Sequence, residues 1–172
     1  FGSRIADVAD APANVVRMLA FDDAIEVAGP VLARSERLSD QDLISNAETK
    51  SQEHLLAISK RRELKEGLTD VLVTRGNREV LVSTATNSGS RFSPLGFSTL
   101  VEKADSDEKL TLSLWHRQDI PRQQMVRLFR QASEGLRLQL EAADPRHVHS
   151  IRDAVSAASE RIQAMARTAS AD

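Results

Sequence analysis

Four histidines, a run of cations and a Ser-Gly-Ser segment are the places in this 172-residue chain where residue type and spacing could carry chemistry. His147 and His149 stand two apart, and on a helix such positions point about 200° from each other, so they cannot close on one metal ion as an i, i+4 pair can. His54 and His116 fall in separate helical segments and read as partly buried helix residues; without a positioned nucleophile or acid, no role follows. Lys60-Arg61-Arg62 with Lys65 is the densest basic cluster. A phosphate would suit it, but Glu63 and Glu66 interleave and no aromatic stacking platform accompanies it. It reads instead as a solvated turn whose cations favour a helix C-terminus. Ser88-Gly89-Ser90 lacks the Lys and the preceding strand of a phosphate-binding loop and reads as a flexible hairpin turn. Asp40/Asp42 and Asp105/Asp107 fall where helix N-caps are expected. Trp115-His116-Arg117 has the composition of an exposed anchor, yet Trp115 closes a stretch with Leu110, Leu112 and Leu114, which places it in the core. No catalytic residue, cofactor or metal ligand is assigned.

Composition points the same way. There is no cysteine, which excludes disulfides, thiolate metal sites and thiol nucleophiles together. Aromatics are 3% of the chain and the apolar content is carried by Leu, Val, Ile and Ala, which suits helix packing. Net charge is −2; residues 121–172 hold eight basic groups, all Arg, against six acidic, and neither half has the balance of a dedicated nucleic-acid binder. No run of apolar residues is long enough to cross a membrane and no signal peptide is visible, so a cytoplasmic protein is expected. The first residue is Phe1 rather than Met, and Pro12 to Phe21 looks like the second helix of an earlier unit, so a longer polypeptide is expected.

The elements that must position any site follow from a repeat. Leu38, Leu64, Phe92 and Ile120 recur at separations of 26, 28 and 28, each opening an amphipathic stretch and each preceded by another. That spacing fits two helices of about ten residues joined by short turns. Ala24 to Arg34 is a first helix, interrupted by Gly29-Pro30, where the missing amide predicts a kink. Ser39 and Asp42 form a capping-box pair before its partner helix. The next hairpins run from Ser51, from Arg78 and from Asp107, and Ser93-Pro94 is an N-cap followed by proline at the first helical position. Asp70-Val71-Leu72-Val73 and Glu79-Val80-Leu81-Val82 also suit a strand, but neither alternates cleanly and both keep the helical register. Beyond Pro121, the residues Met125, Phe129, Ala132, Leu136 and Leu140 predict one helix of about 20 residues ending near Ala143. After Asp144-Pro145, Val148, Ile151, Val155, Ala158, Ile162, Met165 and Ala169 are spaced alternately 3 and 4, a coiled-coil-like seam. The expected architecture is therefore all-α: stacked short hairpins over 1–120 and a longer C-terminal helical hairpin over 121–172, in one continuous domain.

Several segments carry a family likeness: Ile25 to Leu32, Leu38 to Leu43, Ala57 to Arg61, Thr69 to Val73, and Asp119-Ile120-Pro121. Over roughly residues 10–130 the chain resembles an uncharacterised family, mainly alphaproteobacterial, of HEAT-like α-helical repeat proteins. The resemblance implies a HEAT-like α-solenoid and transfers no catalytic residue.

Function is expected on the faces the anchors leave exposed. The leading reading is a protein–protein interaction scaffold whose surface is formed by the second helices, including Gln41, Ser45, Glu66, Thr69, Glu102 and Arg127. A nucleic-acid-binding helical repeat and a helical-repeat lyase are the alternatives; acidic residues on several second helices oppose the first, and only fold analogy supports the second. The C-terminal seam either seals the stack or pairs two copies of the chain.

Overall fold

In the computed structural model the described residues are 11–169. They form eleven helices: α1 (Ala13–Ala20), α2 (Ile25–Arg34), α3 (Asp40–Thr49), α4 (Gln52–Ser59), α5 (Glu66–Arg75), α6 (Arg78–Thr86), α7 (Pro94–Lys103), α8 (Glu108–Trp115), α9 (Arg122–Gln131), α10 (Glu134–Ala143) and α11 (Pro145–Ala169). No strand is present among these residues; a single parallel bridge joins Leu64 and Ser90. Both Val-Leu-Val segments are helical. The chain divides into two compact units between Glu102 and Lys103. The division comes before the fourth hairpin.

In the first unit the hairpins stack in two layers. First helices α2, α4 and α6 pack successively on one another, α3 packs on α5 in the second layer, and α1 packs on α2. The anchors Leu38, Leu64 and Phe92 are buried at 7, 1 and 7% exposure. Each lies two residues before a second helix, the position from which an apolar side chain staples the entering chain to the first turns. Phe92 shows the contact directly, its ring centroid 5.2 Å from that of Phe97 in α7. Between the layers Leu32, Leu55, Ile58 and Leu72 are fully buried, each such side chain contributing about 1.5–3 kcal/mol by leaving water.

Caps set the helix starts. Ser39 accepts from the Asp42 amide while the Asp42 carboxylate accepts from the Ser39 amide, the expected capping box. Asn77 caps α6, and Ser93 Oγ accepts from the Gly96 amide at 2.9 Å at the start of α7. Helix α2 runs continuously through Pro30. The Ala24 carbonyl accepts from the Val27 and Ala28 amides at 3.0 Å, and buried Ala28, Val31 and Leu32 hold the helix against the stack, so proline is accommodated without ending it.

Helix C-termini are closed by the next repeat. The last carbonyls of a helix have no partner within it, and here side chains about one repeat later supply one. Asn46 Nδ2 donates to the Ala20 carbonyl at 2.7 Å, Arg61 Nη1 to Leu32 at 2.6 Å, Arg75 Nη1 to Ala47, and Asn87 Nδ2 to Ser59 at 2.9 Å. These partners are 26 to 29 residues apart in sequence. The period of the apolar anchors therefore recurs as a polar ladder.

The second unit corrects the sequence reading. Residues 121–143 form two helices, α9 and α10, because Ala132 turns extended (φ −66°, ψ 142°) and Ser133 caps α10 by accepting from the Leu136 amide. Arg137 of α10 donates to the Phe129 and Arg130 carbonyls at 3.0 and 2.7 Å, closing the end of α9. Helix α11 packs on α9 and α10 through buried Val148 and Ile151. The side chains of Ala158, Ile162, Met165 and Ala169, the rest of the expected seam, lie outside those described. Trp115 is in the core at 4% exposure, its ring 6.1 Å from Phe129, and the anchor Ile120 is buried.

Candidate interaction surfaces

The polar groups that first suggest chemistry are drawn into the framework. His54 is 2% exposed; its Nε2 donates to the Asp22 carbonyl at 2.9 Å, since a carbonyl can only accept, and Nδ1 meets Ser51 Oγ at 2.7 Å. This ties α4 to the loop before α2. His116 is exposed rather than partly buried, with Nδ1 2.7 Å from the Leu112 carbonyl. His149 is exposed, the side chain of His147 lies outside those described, and no group of three or more metal-binding side chains occurs among the described residues.

The basic cluster is likewise dispersed. Arg61 also donates to the Ser35 carbonyl at 2.9 Å. Burial draws its pKa below the ordinary guanidinium value, opposed by the charges of Asp40 and Glu36. Lys65 pairs with Asp40 at 2.5 Å, and that hydrogen bond and charge raise its pKa. Ser88-Gly89-Ser90 is no free turn. Leu64 donates to the Gly89 carbonyl at 3.0 Å, and Arg91 donates to the Leu64 carbonyl at 2.8 Å. Ser90 is fully buried, its Oγ donating to Thr84 at 2.8 Å. A Cβ at Gly89 would sit 1.8 Å from the Arg62 carbonyl oxygen, so only glycine lets the loop lie against the turn before α5. Asp107 caps α8 by accepting from the Leu110 amide at 3.1 Å, whereas Asp105 precedes Ser106, which holds a left-handed φ of 65°.

Two surfaces of the first unit bear on partner binding. The outer face of α3, α5 and α7 carries most of the expected interaction residues. Gln41 is exposed and Ser45 half-buried, Gln41 Nε2 lying 3.5 Å from Ser45 Oγ. Glu66 and Glu102 are exposed, and Glu48 joins them. The helices approach closely: a Cβ at Gly67 would lie 3.7 Å from Ile44 Cδ1, and one at Gly96 would lie 2.9 Å from Asp70 Oδ1. Thr69 is a correction. It is fully buried and donates to the Arg91 carbonyl at 2.6 Å, so it secures the loop before α7 instead of lining a surface. Arg127 is exposed on α9 of the second unit and is not part of this face.

The second surface went unnoticed in the sequence. A groove of about 560 Å³ runs along the outer side of α2 and α4. Ile25, Pro30 and Leu56 wall it, while Gly29, Ala33 and Ala57 leave it hollow. The two helices are parallel: Asp22 meets His54 at one end, and Leu32 meets Arg61 at the other. Glu53 lies at the first end, Arg34 and Lys60 at the second. A signal was present, because Gly and Pro each weaken a helix interior and their pairing at 29 and 30 contradicts an otherwise helical pattern.

A bacterial family of uncharacterised conserved proteins, DUF2336, matches residues 27–172. The chain belongs to that family. The DUF2336 match begins inside α2, so it takes in the hairpins from α2 onward and all of the groove except Ile25. Helix α1 stands before the match, yet it is held by the same ladder through Asn46. No curated protein and no solved structure matches the chain.

Proposed function

We propose that this DUF2336 member is a protein–protein interaction scaffold that engages its partner through the second-helix face of the first unit. The observation that carries the reading is the division of labour among polar groups. Asn46, Arg61, Arg75 and Asn87 are spent on the ladder, while Gln41, Glu48, Glu66 and Glu102 face outward on successive helices. Stacked hairpins present such extended surfaces as a consequence of repetition. The exposed carboxylates select a partner that offers basic side chains and repel a phosphate backbone.

The finer points belong to the same proposal. Two-layer stacking of hairpins supports a HEAT-like identity; an alphaproteobacterial source and a cytoplasmic setting are proposed beside it. No helix among the described residues is long and apolar enough to cross a membrane. Pairing of two copies through α11 is supported by its length: 25 residues span about 37 Å, against about 15 Å for the ten-residue helices α9 and α10. Sedimentation of the full chain tests this pairing, and one monomeric species across all concentrations contradicts it.

Carbodiimide coupling, which joins carboxylates to lysines without a spacer, tests the scaffold reading. The full chain is used as bait in extract of its source bacterium, and cross-linked peptides are mapped. Adducts joining Glu48, Glu66 or Glu102 to lysines of one retained protein are expected. Adducts confined to other surfaces would contradict the reading.

A further inference from the structure

The groove along α2 and α4 lies on the layer opposite the second-helix face and goes beyond the scaffold reading. Its apolar strip is about three helical turns long, since α2 has ten residues and rises about 15 Å. Gly29, Ala33 and Ala57 let another backbone approach closely between Pro30 and Leu56. Its charge is polarised along its length. Lys60 stands at the end where α2 and α4 present their C-termini, and Glu53 at the end where both present their N-termini.

We propose that this groove docks one amphipathic helix of a partner protein, lying antiparallel to α2 and α4, with acidic residues in its first turn and basic residues in its last. Acids favour a helix's own N-terminus and cations its C-terminus, so antiparallel placement matches the guest's dipole to the charge order of the groove. Its first-turn acids then meet Lys60. Its last-turn cations meet Glu53. Small and medium apolar residues at i, i+3, i+4 and i+7 fill the hollow, as in other helix-in-groove complexes.

Two designed helical peptides of about 12 residues test this. They share one apolar stripe and differ only in charge order: acidic first and basic last, or the reverse. Fluorescence anisotropy against the full chain is expected to show saturable binding of both, with the acid-first peptide about fivefold tighter, a preference that shrinks as salt rises. Glu53 and Lys60 are both exposed, so the double variant Glu53→Lys/Lys60→Glu keeps the fold and is expected to invert the preference. Ala33→Arg, which fills the hollow from a half-buried position on the groove wall, is expected to abolish binding of both peptides at an unchanged melting temperature. Absence of saturable binding, equal binding of the two peptides, or a preference unmoved by the charge swap would overturn the proposal. Glu66→Arg/Glu102→Arg leaves this binding intact, so the result is independent of the scaffold face.

Discussion

Gly29 separates a residue kept for packing from one kept for a surface. A Cβ there would meet Ile25 Cδ1 at 3.4 Å, an ordinary contact, and nothing nearer. Gly29→Ala is therefore expected to stabilise the protein by about 0.5–1 kcal/mol through helix propensity, measured by urea unfolding; destabilisation would show that the glycine serves the core. Exposed Asp23 and half-buried Lys50, 2.5 Å apart, make a pH prediction. The Lys50 hydrogen bond and charge lower the Asp23 pKa below its ordinary 3.8. A depressed carboxylate contributes stability that is present above its unfolded pKa and lost as pH falls through its folded value. Asp23→Asn is thus expected to lower the melting temperature slightly at pH 7 and to match the wild type at about pH 2; a gap that widens in acid would contradict the pairing. At this scale the sequence was legible where a side chain acts on its neighbours, as in the Ser39–Asp42 box. It was opaque where the partner lies a repeat away. Nothing local distinguishes Arg61, which caps α2, from exposed Lys60 and Arg62 beside it.

Helices are closed by side chains from elsewhere, so element stability rests on the ladder as well as on apolar stacking. Arg61→Ala removes two charge-assisted hydrogen bonds and strands the Leu32 and Ser35 carbonyls. The expected loss is about 2–3 kcal/mol in a denaturant titration, whereas Lys60→Ala is expected to leave the midpoint unchanged. Arg61→Lys is expected to recover less than half, because an ammonium cannot reproduce the guanidinium fork; full recovery would show that charge alone matters. The same reasoning explains the misread segment 121–143. Met125, Phe129, Ala132, Leu136 and Leu140 keep a helical spacing across the break, so periodicity alone runs on. The break is set by Ser133 competing for the Leu136 amide and by Arg137 folding back on the Phe129 carbonyl. The cap was visible as Ser133-Glu134-Gly135; the fold-back was not.

At the scale of the whole chain, repetition was the legible feature. Anchors at Leu38, Leu64, Phe92 and Ile120 mark the second helices because burial at the entry to a helix is a local demand repeated in each unit. The exposed second-helix residues followed from that register, and only Thr69 proved buried, since the Arg91 carbonyl that holds it lies beyond the reach of a periodic pattern. The groove on α2 and α4 could not be read, because it exists only once Gly29, Ala33 and Ala57 are brought together by stacking. That the carboxylate-bearing face of the first unit binds a partner is a proposal open to direct test. Its most direct measurement is the Kd of the captured partner for the full chain and for Gln41→Arg/Glu66→Arg/Glu102→Arg, at matched melting temperature and at low and high salt. At least tenfold weaker binding by the variant is expected at low salt, from like-charge repulsion, with the difference narrowing as salt screens it; equal Kd values at both salt concentrations would rule this face out.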